Sequence, residues 1–299
     1  MQTDTGYQLV RLNNGICSVR SLADGETFHP VVGPVAEAEA LYVNQLRLRE
    51  RLQNQVGEFV IWDVGLGAAA NALTGLRATR DLACQIRLIS FDHTLEPLAF
   101  ALQHAADLGY FGGYEHHVQN FLRDHRVTFH DGAQAVNWEF HHGDFPAWLE
   151  SGSSRFSVPG TDKLKLELQP APHAIFFDAY SPARNPAMWT LPLFTNLFQR
   201  LDPQRPCALT TYSRSTILRV TLLLAGFYVG VGHATGEKEE TTMAANNLDL
   251  ITEPLNARWL ERAARSDSAE PLHEPVYRRQ KLSPETWERL RAHPQFRGN

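Results

Sequence analysis

Val60-Ile61-Trp62-Asp63-Val64-Gly65-Leu66-Gly67-Ala68-Ala69-Ala70-Asn71-Ala72-Leu73 reads as a buried strand, a glycine turn and the start of a helix. Gly65 and Gly67 let the backbone turn sharply and come close to a ligand. The free N–H groups at the helix start can face an anionic or polar group. Such a turn suits a nucleotide-like cofactor, but buried strands also end in Gly-x-Gly as plain structural turns, so the rest of the chain has to decide.

Working outward, residues 71–80 continue as a helix, and Ile86-Arg87-Leu88-Ile89-Ser90-Phe91-Asp92 is a second apolar strand ending in an acid. In doubly wound α/β sheets an acid at that strand end accepts hydrogen bonds from ribose hydroxyls. The separation from Gly65 to Asp92 is 27 residues, which the intervening helix and loop absorb. A helix cap is the alternative for Asp92. A helix over 95–108 is followed by the aromatic Gly109-Tyr110-Phe111-Gly112-Gly113-Tyr114, read as flexible. Strands over 126–130 and 135–141 flank Asp131-Gly132, a hairpin signal. The second runs into Gly143-Asp144. Asp144 reads equally as an acceptor for an adenine amino group and as the N-cap of a helix over 145–150.

Residues 151–172, with Gly152, Pro159, Gly160, Pro170 and Pro172, read as a surface insertion. His173-Ala174-Ile175-Phe176-Phe177-Asp178 is the fourth strand of the parallel set, and its acid leads into Ala179-Tyr180-Ser181-Pro182 at the sheet edge where ligands bind in such folds. A helix over 188–200, a strand over 208–212, a helix over 213–225 and a strand over 227–231 follow. Residues 239–244 pair back as an antiparallel hairpin. Periodicity by itself supports a doubly wound α/β fold. Trp189 and Phe194, at helical spacing, belong to its core.

Ahead of this core, alternation around Asn13-Asn14-Gly15 predicts a β-hairpin over 7–21, and apolar spacing predicts a helix over 35–53. Behind it the chain turns polar, with helices expected over 255–265 and 284–291. The organisation expected is an N-terminal β-hairpin and helix appendage at 1–57, a core at 58–245 and a helical C-terminal appendage at 246–299.

The formal charge is −5, from 28 Lys+Arg against 33 Asp+Glu, which argues against holding nucleic acid by a strongly basic surface overall. Residues 278–299 carry six basic and two acidic side chains, a local +4 that reads first as a solvated tail. Cys17, Cys84 and Cys207 have neither disulfide nor metal-ligand spacing, and the paired histidines His116-His117 and His141-His142 lack the spacing of a metal site. No metal, no membrane span, no secretory leader and a cytoplasmic location are the expectations.

Three separated motifs resemble the methyltransferase domain of the tRNA-modifying MnmC family. Residues 63–71 resemble its Gly-x-Gly-x-Gly-x-Asn loop, and residues 177–189 its Asp-x-aromatic-x-Pro-Ala-basic-Asn-Pro-x-Met-Trp signature. Residues 225–240 resemble its closing Ala-Gly-Phe strand and lysine-containing turn. The resemblance spans roughly residues 27–245 and implies a Rossmann-like class I methyltransferase, with a mostly parallel sheet and an antiparallel closing strand. S-adenosyl-L-methionine is the implied methyl donor. Asp92 would then hold its ribose, Asp144 its adenine, and Asp63, Gly65, Gly67 and Asn71 its methionine end beside Asp178. The implied reaction converts 5-aminomethyl-2-thiouridine to 5-methylaminomethyl-2-thiouridine at the tRNA wobble position. The implied partners are a tRNA anticodon stem-loop and an upstream enzyme that supplies the aminomethyl group, since a second glycine fingerprint for a fused flavin oxidase is missing. Ala69 stands where the family has its third glycine, a change that an ordinary backbone conformation tolerates.

Methyl transfer to an amine needs a neutral nitrogen held in line with the S–CH3 bond, so a carboxylate that accepts the amine's proton is required. Asp178 is the candidate base. Tyr180 is the candidate to pack against the base of the nucleotide, and Arg184 and Lys238 are candidates for phosphates. Two other readings stand beside this one: methyl or aminopropyl transfer to a small amine on the same fold, and a catalytically silent relative that binds tRNA or a protein.

Overall fold

The structure, a computed structural model, describes residues 6–151, 170–236 and 239–297. The hairpin β1 (Tyr7–Arg11) and β2 (Cys17–Ser21) forms as expected, antiparallel, with Leu9 opposite Val19. The main sheet is built from β3 (Glu58–Val64), β4 (Gln85–Asp92), β5 (Arg126–Asp131), β6 (Gln134–His142), β7 (Ala174–Phe177), β8 (Ala208–Thr211), β9 (Tyr228–Gly232) and β10 (Thr241–Ala245). Its order is β5-β6-β4-β3-β7-β8-β10-β9. β6, β4, β3, β7 and β8 run parallel, while β5 and β10 pair antiparallel to their neighbours. This is the class I methyltransferase architecture, with the closing hairpin β9–β10 at one edge.

The apolar run of β3 reads as it does because both faces of the sheet are covered. Phe59 and Ile61 join Leu73 and Leu76 of the helix Ala70–Thr79 on one side. Val60, Trp62 and Val64 join Leu193, Phe194 and Leu197 of the helix Leu191–Gln199 and Leu218 and Leu222 of the helix Thr216–Ala225 on the other. Trp189 and Phe194 are buried in that second cluster. The chain leaves β3 toward β4 and later returns to place β7 on the other flank. The carboxyl ends of β3, β4 and β7 therefore surround a topological switch point, where such sheets bind ligands.

Two expectations give way to something different. The helix over 35–53 is broken into Pro34–Ala38, a π-helical turn Glu39–Asn44, and Leu48–Gln53 after a left-handed Arg47. The break aims Gln45 at the closing hairpin, where its Oε1 accepts from His233 N at 2.8 Å and its Nε2 donates to Thr242 O. The aromatic stretch after residue 109 is packed: Tyr110, Phe111 and Tyr114 are all buried, and Tyr110 Oη donates to Ala68 O at 2.8 Å. A further helix, Glu115–Asp124, follows it and buries only Val118 and Phe121, too thin a stripe to stand out in a polar segment. The insertion read at 151–172 falls almost wholly outside the described residues.

C-terminal to the sheet, the helices Ala257–Ala264 and Pro284–Arg291 bury Trp259 and Leu290 against the second cluster. Gln295 completes the exposed side of β9: its Oε1 accepts from Val229 N and its Nε2 donates to Val229 O, each at 2.8 Å. Together with residues 253–255, where Glu253 O accepts from Val231 N and Leu255 N donates to Val229 O, this side-chain amide covers the sheet edge.

Across the centre of the sheet, Trp138 Nε1 donates to Ser90 Oγ at 2.9 Å and Ser90 Oγ donates to Asp63 Oδ2 at 2.8 Å. Ser90 has one proton to give, and the indole fills its acceptor side, so Asp63 receives that proton. Asp63 is 1% exposed and its Oδ1 has no hydrogen-bond partner. Burial pushes its carboxyl up to about 7; the Ser90 hydrogen bond opposes this, and the Asp178 and Asp92 carboxylates add to it. An unfolded-state value near 4 lies below that, so the folded protein binds the extra proton and stability falls as pH rises from about 4 through about 7. Asp63→Asn should remove this slope and raise stability at pH 8 by about 2–4 kcal/mol, with little change at pH 4. Urea denaturation at the two pH values checks it; an unchanged pH dependence would mean that Asp63 does not carry the proton.

Candidate active site

A cleft of about 620 Å³ opens at the carboxyl edge of the sheet, within the size range of cofactor sites. Its lining combines the glycine loop after β3 (Gly65, Leu66, Gly67, Ala68, Asn71) with Asp92, Asp144 and the segment following β7. The N-terminal hairpin and its loop form the facing wall, through Tyr7, Arg20, Glu26, Phe28, His29 and Glu37.

The glycine loop fits only because two residues lack a side chain. A Cβ on Gly65, at φ +89°, would lie 2.8 Å from Asp178 O, and one on Gly67, at φ +51°, would lie 3.3 Å from Phe28 Cε2. Gly65 N donates to Phe91 O at 2.9 Å, and Gly67 N donates to Asp92 Oδ2 at 3.0 Å. Ala69 departs from the ordinary conformation expected of it: φ 60°, ψ 20° is left-handed, which costs an L-residue roughly 1–2 kcal/mol. The loop therefore keeps a glycine-like backbone at position 69 without the glycine.

Asp92 accepts from Gly67 N and from His93 N, and its Oδ1 lies 3.0 Å from His93 Nδ1, a contact that raises the His93 pKa. A carboxylate has about four acceptor positions, so the two backbone donors and His93 Nδ1 leave room for a ribose hydroxyl. Asp144 Oδ1 accepts from Ala147 N at 2.8 Å, the cap of the helix Phe145–Ser151, and Asp144 also borders the cleft. Capping and facing the ligand are thus compatible here.

Asp63, expected along the methionine end, lies behind the cleft wall and not on it. Its side chain is buried in the central strand and engaged with Ser90. Its reach to the site is electrostatic, through Asp178 and Asp92. Asn71 does face the cleft, and its Nδ2 donates to Asp178 Oδ2 at 2.7 Å.

Several peptide groups around Asp178 are held. Asp178 N donates to Val64 O at 2.9 Å, Tyr212 Oη donates to Ala179 O at 3.0 Å, and Trp189 Nε1 donates to Tyr180 O at 2.7 Å. Ser181 donates through both N and Oγ to the Glu26 carboxylate. Tyr180 sits against Phe28 with ring centroids 5.8 Å apart, and burial holds its hydroxyl well above the usual tyrosine range. Arg184 is exposed, near the turn at Gly25 and outside the cleft lining. Lys238 lies outside the described residues.

The residues that linear motifs did not single out are His29, Glu37 and Glu26. His29 Nδ1 lies 3.3 Å from Glu37 Oε1, and its Nε2 lies 3.8 Å from Asp178 Oδ2. The only sequence signal was the loop-forming Phe28-His29-Pro30, and nothing local ties it to a strand end some 150 positions later.

These residues fit S-adenosyl-L-methionine. The loop has the required absence of side chains, Asp92 has unfilled acceptor capacity, and Asn71 Oδ1 is a buried acceptor without a donor, the kind of group an ammonium satisfies. Among the described residues no group of three His, Cys, Asp or Glu side chains could hold a metal ion. Among them too, no helix is long and apolar enough to cross a membrane.

Comparison with known proteins places this geometry. The model of a family described as S-adenosyl-L-methionine-dependent methyltransferase matches residues 160–247. The tRNA 5-methylaminomethyl-2-thiouridine biosynthesis bifunctional protein MnmC of Pseudomonas putida is 27% identical over 241 residues, 80% of this chain and 35% of that protein. The protein of the same name from Methylibium petroleiphilum is 27% identical over 255 residues, 82% of this chain and 35% of that protein. The chain thus spans about a third of the length of these curated relatives. The crystal structure of MNMC2 from Aquifex aeolicus superposes with a TM-score of 0.65 at 21% identity, covering 97% of this chain and 84% of that one. With the glycine loop, the acids at the ends of β4, β6 and β7 and the class I sheet, these matches make the chain similar to S-adenosyl-L-methionine-dependent methyltransferases and to the MnmC proteins.

Proposed function

We propose that the chain methylates the primary amine of 5-aminomethyl-2-thiouridine at the wobble position of tRNA. The observation that carries this reading is Asp178. It sits at the carboxyl end of β7, beside the glycine loop, with its carboxylate fixed by Asn71 and facing a cleft of cofactor size. The names of the MnmC relatives supply the tRNA nucleoside, and the Asp178 to Trp189 segment carries the motif shared with that family.

In this reading Asp92 receives the ribose hydroxyls of the cofactor and Asp144 faces the adenine. Gly65, Gly67 and Asn71 hold the methionine end, and Asp63 acts on it from behind through its field. The bound cofactor supplies an electrophilic methyl on a sulfonium sulfur. Asp178 accepts a proton from the substrate ammonium, which exposes the nitrogen lone pair for transfer. The pinned 178–181 backbone keeps that carboxylate from drifting, so positioning supplies much of the rate. Tyr180 packs against the uridine, while Arg184 and Lys238 meet phosphates of an anticodon stem-loop.

The division into an N-terminal element (1–57), a catalytic core (58–245) and a C-terminal element (246–299) belongs to the same reading, as does action in the cytoplasm. An upstream reaction must install the aminomethyl group before this one. A second reading, transfer to a small polyamine, is favoured by the five carboxylates that line the cleft, Glu26, Glu37, Asp92, Asp144 and Asp178.

Labelled methyl from S-adenosyl-L-methionine should appear on tRNA bearing the aminomethyl wobble uridine. It should be absent from unmodified tRNA and from free polyamines; label on the polyamine would replace the tRNA reading with the small-amine one. Asp178→Ala should lower kcat by about 10²–10⁴-fold and leave cofactor affinity within a few-fold. Wild-type turnover in that variant would remove Asp178 as the base. Asp92→Ala should weaken cofactor binding in calorimetry by about tenfold or more, the loss of charge-assisted hydrogen bonds to the ribose. An unaltered affinity would withdraw the ribose assignment.

A further inference from the structure

His29 lies between two carboxylates, with Glu37 at its Nδ1 and Asp178 at its Nε2. The side chains of His29 and Glu37 are 8% and 5% exposed, so bulk water screens neither contact well. All three residues border the cleft. His29 also adopts a left-handed backbone, φ 48°, which a non-glycine residue keeps only where its surroundings fix it, often at functional sites. Those surroundings are visible: Phe28 N donates to Val19 O at 2.8 Å, Ser18 Oγ donates to Phe28 O, and Pro30 follows.

An imidazole carries one N–H when neutral and two when charged. With Glu37 at hydrogen-bond distance from Nδ1 and Asp178 at ion-pair distance from Nε2, the imidazolium is the form that satisfies both carboxylates. The ionisation of Asp178 is therefore tied to the Glu37–His29 pair. Asp63, Tyr42 and Tyr212 are also coupled electrostatically to members of this cluster, and Glu26 is coupled to Tyr212. As the imidazolium, His29 places a positive charge beside the Asp178 carboxylate.

His29 and Asn71 approach the same oxygen, Asp178 Oδ2, from two different elements: the N-terminal loop and the helix after the glycine turn. Two contacts from separate directions resist rotation of the carboxylate where one would not. We propose that His29, oriented by Glu37, is a positioning residue for Asp178, fixing its carboxylate and holding it in the ionised form that accepts the substrate's proton. This rests on the reading of Asp178 as the base.

The test uses the full chain, labelled S-adenosyl-L-methionine and tRNA carrying 5-aminomethyl-2-thiouridine, with kcat and KM followed from mildly acidic to mildly alkaline pH. His29→Ala should lower kcat by about 10–100-fold, with KM for the tRNA and cofactor affinity within about threefold. Its acidic limb should move to higher pH, because the group that favours the ionised carboxylate is gone. Glu37→Gln should shift the limb in the same direction by less, and His29→Gln, which keeps a neutral donor, should recover part of kcat. If His29→Ala does not fold, the two glutamine variants carry the test. Wild-type kcat and an unmoved acidic limb in the His29 and Glu37 variants, alongside an inactive Asp178→Asn, overturn the positioning role and leave the base intact. An active Asp178→Asn overturns the base reading and this inference with it. Lower thermal stability with an unmoved acidic limb assigns His29 a structural role only.

Discussion

The turn at Gly65 and the end of β7 approach so closely that a single methyl group at residue 65 would meet the Asp178 carbonyl at 2.8 Å. Two strand ends can share that space only where one contributes bare backbone. The rest of the site follows from this contact. Gly65 N is held by Phe91 O on one flank, and Asp178 N is held by Val64 O on the other, so the carboxyl ends of β4, β3 and β7 are fixed relative to one another. Asp92 then reaches across to Gly67 N, and Asn71, in the first turn of the following helix, reaches Asp178. A cofactor loop and a candidate base are thereby joined by two hydrogen bonds and one steric constraint.

What surrounds that junction makes it rigid. The carbonyls of residues 179 and 180 each accept a hydrogen bond from an aromatic side chain, the half-buried Tyr212 and the buried Trp189, and Ser181 is tied to Glu26 on the N-terminal segment. Phe28 stands over Gly67 and beside Tyr180. The reactive edge is therefore assembled from three stretches, residues 26–37, 65–71 and 178–181, that only the folded sheet brings together. Preorganisation of this kind lets a carboxylate act without paying for reorientation during the reaction.

That assembly also explains which parts were legible in the sequence. Strand–turn–acid patterns are local, so the ends of β3, β4, β6 and β7, and with them Asp92, Asp144 and Asp178, stand out from spacing and periodicity. The antiparallel closing hairpin does too. His29 and Glu37 do not, because their meaning lies in contacts with Asp178 across about 150 residues of chain. Tyr110 escapes for the same reason: its hydroxyl supports Ala68 from a glycine-rich stretch that reads as flexible until its rings are seen to be buried. Asp63 shows the opposite limit. Its place in the motif suggests a ligand contact, but the strand that makes the motif recognisable also buries the side chain against Ser90.

The charge balance of the cleft bears on how a polyanionic substrate could use it. Five carboxylates border it and Asp63 adds a buried sixth, whose carboxyl is pushed up to about 7 partly by its neighbours. Set against Arg20, the one arginine among the described lining residues, the acids are in excess, and an excess of carboxylates disfavours phosphate and favours cations. The methyl donor, with its sulfonium and ammonium, and an alkylammonium acceptor both relieve the repulsion. An RNA backbone adds to it. On the tRNA reading, then, the cleft admits the protonated aminomethyl side chain and excludes the phosphates on either side, which must be met on the surface outside. The exposed Arg184, beyond the lining near the turn at Gly25, is placed for such a contact. On that same reading, the excess of acids that the sheet edge brings together favours the amine over the surrounding phosphates without a base-specific contact.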